Sequence, residues 1–184
     1  LTGSPGPATL SLAAASAAFG PRLSLGFTLG LFAGVLVVMI VVATGMIGIL
    51  LGLPGVAPVI AIFAGAYFIY LTYRIATAPP PKERGKAGRP PSFAGGFLLS
   101  LFNPKGYIAM AALFSGHGLV AEGPVMDAVL KISVLTGIVG VVDAAWLAGG
   151  AWLARLCRSP SANRAMNLIF AVLLLASAIL LFPV

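Results

Sequence analysis

Two apolar stretches broken by proline constrain this chain more than anything else in it. Ser4-Pro5-Gly6-Pro7 opens the first, and Asn103-Pro104-Lys105-Gly106 interrupts the fourth. Proline removes an amide donor and its ring clashes with the preceding helical turn. Glycine beside it loosens the backbone further. In hydrocarbon such a break survives only where protein or a water-filled cavity satisfies the freed carbonyls. Breaks at matching places in two halves of a chain are the best sequence pointer to a substrate site in a repeat-built transporter.

Composition supplies the hydrocarbon. Of 184 residues, 60% are hydrophobic and 8% charged, with a mean hydropathy of +1.08, whereas soluble domains carry roughly 25% charged residues. An ordinary soluble enzyme is excluded, and a multi-pass protein with the lipid bilayer as its surroundings is expected. The net charge of +7 is not a nucleic-acid footprint, because the basic residues fall in short loops between apolar runs, where they set orientation. Cys157 stands alone, so no internal disulfide or CxxC pair can form. A single histidine, His117, and four acidic residues leave little to build a metal site, and no cofactor is implied.

A spanning helix needs about 20 mostly apolar residues. Six apolar segments are expected: Pro5 to Phe19, Ser24 to Leu51, Val56 to Ala76, Phe93 to Ser115, Val129 to Leu156 and Ala165 to Phe182. The first is too short to span alone and begins directly at Leu1, which reads as a helix truncated at its N-terminus. Between the third and fourth lies a Pro-rich basic stretch, Pro79 to Pro91, that cannot span. The expected organisation is therefore a three-helix repeat over 1–77, a basic cytoplasmic loop over 78–92 and a second three-helix repeat over 93–184.

The charges support an inverted repeat. Arg22 follows the first segment. Arg74, Lys82, Arg84, Lys86 and Arg89 lie in or beside the central loop, and Arg155, Arg158 and Arg164 lie between the fifth and sixth segments. Positive loops stay cytoplasmic, so both termini face outward and the two triplets have opposite topology. Gly26, Gly30 and Gly34 in the second segment are echoed by Gly140, Ala144 and Ala148 in the fifth. Small residues at this spacing make a flat face for close helix approach and permit a homodimer.

Few residues offer chemistry. Asp143 is the one carboxylate well inside an expected span. A charge there costs roughly 2.5 kcal/mol or more, so Asp143 is the candidate for proton coupling, against a structural role beside a polar group on a neighbouring helix. Lys105 is the one basic residue well inside a span. It suits a substrate carboxylate or a pairing with Asp143, against snorkelling to an interface. Asn103 can bind a zwitterionic ligand or cap the half-helix after Pro104. Pro5, Gly6 and Pro7 act through geometry, since a broken helix presents amides that favour an anion. Tyr67, Tyr70 and Tyr73 read as an interfacial belt, His117 as a solvent-exposed loop residue, and Cys157 as a buried small residue.

These residues carry a resemblance to the LysE/RhtB family of amino-acid exporters. The matching pieces are Ser4-Pro5-Gly6-Pro7, Gly20, the Gly26/Gly30/Gly34 stripe, Gly65-Ala66-Tyr67 with Tyr70-Leu71, and Phe93-x-x-Gly96-Phe97 leading into Asn103-Pro104-Lys105. The resemblance implies an all-α inner-membrane exporter of amino acids or related small metabolites. It implies six helices in two inverted repeats, driven by the proton gradient. Many members carry an acidic or polar residue after the second-segment glycines and Asn after Pro-Gly-Pro. Here those positions are Val35 and Ala8-Thr9, so a less polar substrate site is expected. The alternative is a non-transporting or lipid-handling membrane accessory protein, which would tolerate Lys105→Ala. A membrane enzyme would need a nucleophile–base pair, and none is visible.

Overall fold

The computed structural model describes residues 2–46, 55–78, 91–116, 118–120, 123–157 and 159–181. Among these the chain is all helical: α1 (Pro7–Phe19), α2 (Pro21–Ala43), α3 (Val56–Ala76), α4 (Phe93–Leu101), α5 (Pro104–Phe114), α6 (Pro124–Leu156) and α7 (Pro160–Leu181). Most of the central basic stretch, together with His117, Glu122 and Arg158, lies outside the described residues.

Proline opens α1, α2, α5 and α6, where its missing N–H is no loss and its fixed φ is already helical. The fifth segment therefore starts five residues earlier than its apolar run, at Pro124 rather than Val129. The fourth segment is two helices. α4 ends at Leu101, α5 begins at Pro104, and the axes bend by 58° at the break. Of the expected second segment, residues 47–51 lie outside the described residues. α2 ends at Ala43, ahead of Gly45 at φ 70°, a conformation that glycine adopts without steric cost.

α2 and α6 are long and apolar enough to cross a membrane, and α4 with α5 makes a third if the bent pair is one span. The outer faces agree with a lipid setting. Ile62, Val141, Ile108 and Val172 are each more than 60% exposed, and they sit on four different helices, α3, α6, α5 and α7.

Two contacts set the interior. α2 and α4 meet backbone to backbone. A Cβ on Gly30 would strike the Phe93 carbonyl, one on Gly34 would lie 2.7 Å from the Phe97 carbonyl, and one on Gly96 would strike the Phe27 carbonyl. Ser100 Oγ then donates to the Leu31 carbonyl at 2.8 Å. The second contact surrounds α1, an alanine-rich helix with every residue but Ala8 buried. Its small side chains let α6 close in until Gly150 presses on the Ala13 backbone, and Ser16 Oγ donates to the Leu147 carbonyl at 2.6 Å. The expected partner stripe on α6 behaves differently. Gly140 makes only ordinary contact with Phe32, while Ala144 and Ala148 line an outer groove with Trp152 and Arg155.

α7 packs on α3 and α1. Phe68, Leu71 and Ile75 meet Met166, Phe170 and Leu174 there in one core with the α1 alanines. Of the tyrosines, Tyr70 and Tyr73 are exposed, as an interfacial belt requires, with Arg74 donating to the Tyr70 hydroxyl at 2.8 Å. Tyr67 turns inward against the core. Cys157 is half-buried against the same core.

Candidate functional site

Both proline breaks open onto one cleft. Thr2, Ser4, Gly6 and Thr9 form its wall from the start of α1, and Asn103, Lys105 and Met110 form it from the α4–α5 break. Val35 of α2 and Val139, Val142 and Asp143 of α6 close the remaining sides. The cleft holds about 70 Å³ of water-accessible space and is partly open to the outside.

The break before α1 is organised by Thr9. Its Oγ1 accepts from the Gly6 amide at 3.0 Å and donates back toward the Ser4 and Gly6 carbonyls. The second break is organised by Asn103, which is buried and caps α5 through Oδ1, accepting from the Lys105 amide at 3.2 Å. The capping reading of Asn103 is thus realised, and the residue lines the cleft as well.

Lys105 joins the two breaks. Its Nζ donates to the Pro5 carbonyl at 2.6 Å and to the Ser4 carbonyl at 3.1 Å. Gly6 makes room for it, since a Cβ there would lie 2.7 Å from Nζ and 2.9 Å from Cδ. An ammonium carries three donors, so two carbonyls leave one for something else. The helix ends add to this charge. α1 and α5 both begin at the cleft, and a helix N-terminus presents unpaired amides with a partial positive charge.

Asp143 stands across the cleft on α6. Its Oδ2 is buried and, among the described residues, has no hydrogen-bond partner. Lys105 and Asp143 line the same space, yet among the described residues the ion pair within 4.0 Å is Lys131–Asp127, at 2.8 Å, and not these two. The site therefore holds an anion-favouring wall and an acidic wall that do not neutralise each other by contact.

The residues where the sequence departs from its resemblance, Ala8, Thr9 and Val35, all line this cleft. Sequence reasoning did not single out Thr9 as an organiser, nor Met110 and Val139 as walls. Thr9 carried a signal: a hydroxyl three residues after Gly6 can serve as a local cap. The two apolar residues carried none.

The whole-chain comparison decides the family. The LysE type translocator model matches residues 1–183. The chain belongs to the LysE type translocator family. Among curated relatives, cysteine/O-acetylserine efflux proteins of Escherichia coli, Shigella flexneri and Shigella sonnei are each 27% identical over 179 residues. The match covers 97% of this translocator and 90% of each relative. No solved structure gives a significant match. The family consists of transporters, which agrees with apolar helices that can cross a membrane.

Proposed function

We propose that this translocator exports small amino acids across the cell's inner membrane by alternating access around its two broken helices. One observation carries the reading. The start of α1, the α4–α5 break and Asp143 are remote in sequence and share one cleft. A zwitterion matches the two walls. Its carboxylate goes to the third donor of Lys105 and the N-terminal ends of α1 and α5. Its ammonium goes to Asp143.

Proton coupling follows from the unpartnered carboxylate. While the ammonium is bound, Asp143 keeps its charge. When the solute leaves, an isolated charge in this setting is costly, and Asp143 takes up a proton instead. Substrate outward and proton inward then alternate on one side chain.

The substrate class rests on the relatives' names and on the lining. Val35, Met110 and Val139 give the side-chain part of the cleft an apolar character, with Ser4 and Thr9 beside it. Cysteine and O-acetylserine, small and weakly polar, are the first solutes to test. The six-span, doubly inverted arrangement, with both termini outside, the basic loops inside and a homodimer permitted by the glycine faces, belongs to the same proposal.

In proteoliposomes, Asp143→Asn is expected to carry substrate down its own gradient but to lose acceleration by a pH gradient. Full pH-driven transport by Asp143→Asn would remove Asp143 from the coupling role.

A further inference from the structure

Asn163 and Asn167 stand one turn apart near the start of α7, 1% and 0% exposed. The spacing puts both on one helix face, the face that continues through Phe170 and Leu174 into the core. A primary amide offers one acceptor oxygen and two donor hydrogens. Asn167 Nδ2 donates to the carbonyl of Ala78, just past the end of α3, at 3.2 Å. Among the described residues, its Oδ1 and both polar atoms of Asn163 have no hydrogen-bond partner. Thr72 Oγ1, on the helix against which α7 packs, is likewise buried and unpartnered. Each such atom costs about 1–3 kcal/mol, and native proteins keep few. A leucine at either asparagine would continue the apolar face without that cost.

We propose that Asn163 and Asn167, with Thr72, form an entry subsite. It hydrogen-bonds the head group of an amino acid when the seam between α3 and α7 parts. The inference rests on the transport reading above. The pair lies at the end of the bundle where α6 finishes and α7 begins, on either side of Arg164 in sequence. The cleft lies instead around the first residues of α1 and the middle of α6. Buried α1 packs against α2, α6 and α7. An open cleft with a sealed seam is one end-state of an alternating path, and the orphaned amides belong to the other. A neutral amide suits passage, because its oxygen takes an ammonium and its NH₂ a carboxylate without holding either as a full charge would.

The test uses membranes carrying the intact protein. In a Cys157→Ala background, Asn163→Cys is exposed to a small membrane-impermeant thiol reagent, with and without saturating O-acetylserine. The introduced thiol is expected to react, and saturating O-acetylserine to slow the reaction by occupying the subsite. In parallel, Asn163→Leu is expected to raise the half-saturating O-acetylserine concentration about tenfold, with a melting temperature at or above wild type. A thiol that never reacts overturns the proposal, as does an Asn163→Leu variant that melts lower with unchanged half-saturation. Labelling needs no transport, so the two readings separate. A thiol that O-acetylserine protects, in a protein that moves no amino acid, refutes the export reading and upholds the subsite, while export without labelling refutes the subsite alone.

Discussion

Lys105 Nζ donates to the Pro5 carbonyl at 2.6 Å across 100 residues of chain. With the bond to Ser4, it fastens the break in the first half of the translocator to the break in the second. Neither half holds the cleft on its own. The same ammonium that organises the site keeps a third donor, which the proposed export reading assigns to solute.

Lys105→Arg tests whether charge alone suffices. A guanidinium is a planar fork on a differently shaped arm and does not replace a compact three-donor ammonium. Hydrogen bonds to charged groups are worth about 1.5–3 kcal/mol, so this variant is expected to export at least about tenfold more slowly at wild-type abundance. Initial efflux rates normalised to membrane protein check it. Near-wild-type export by Lys105→Arg would mean that the paired carbonyls do not matter.

Gly6 is a spacing requirement. Its backbone is fully extended, at φ −173° and ψ 179°, which any residue adopts, so Gly6→Ala acts by displacing Lys105 and not by backbone strain. Gly6→Ala is expected to reproduce most of the Lys105→Ala defect, and the double variant to be little worse than Lys105→Ala. Sub-additive rates in that double-mutant cycle are the readout.

Neighbouring glycines on α6 make a sharp pair. Gly150 presses on the Ala13 backbone, whereas a Cβ on Gly149 meets nothing within 4 Å. Gly149→Ala is expected to stabilise the helix by about 0.5–1 kcal/mol. Gly150→Ala must push α6 off α1 and is expected to cost about 1–3 kcal/mol. Melting temperatures of the two purified variants in one detergent decide the matter.

A polar tie sits in the first turns of α6, with Asp127 ahead of its apolar run and Lys131 at the start of it. Lys131 Nζ pairs with Asp127 Oδ2 at 2.8 Å and donates to the Phe114 carbonyl at 3.1 Å. Asp127 also accepts from the Leu119 amide. The Lys131 hydrogen bond, followed by the Leu119 amide, holds the Asp127 carboxyl below its usual range. A depressed folded value means that the tie contributes fully above the unfolded value of about 3.9. It is lost as pH falls through the folded one. Proteolysis of the link between α5 and α6 is expected to stay slow from neutral pH down to about 4 and to quicken below it. Asp127→Asn is expected to be cut faster at neutral pH, with a flatter pH profile.

What could be read in advance was whatever leaves a local chemical mark. Pro5, Pro7 and Pro104 announce helix breaks in any setting, and Asp143 and Lys105 stand out because charge in hydrocarbon is costly. Gly30 and Gly34 were legible as part of a close-packing face, whereas Gly96 stood out only within the Phe93-x-x-Gly96-Phe97 motif. The partners of Lys105 were not, because they are main-chain carbonyls, which every residue carries. The contact of Gly150 with Ala13 was hidden as well, since one glycine among many in α6 gives no sign of which faces a neighbour. Asn163 and Asn167 are two amides at helical spacing on either side of the start of the last apolar run, and their meaning appeared only with their burial.

The central claim is that the cleft joined by Lys105 carries solute out of the cell. Its most direct test is efflux of O-acetylserine and cysteine from preloaded cells, comparing wild type with Lys105→Ala at equal abundance, with and without a protonophore. The account predicts export that falls at least about tenfold in Lys105→Ala, from the loss of a charged hydrogen bond, and that collapses when the proton gradient is removed. Export that proceeds unchanged in Lys105→Ala would contradict it.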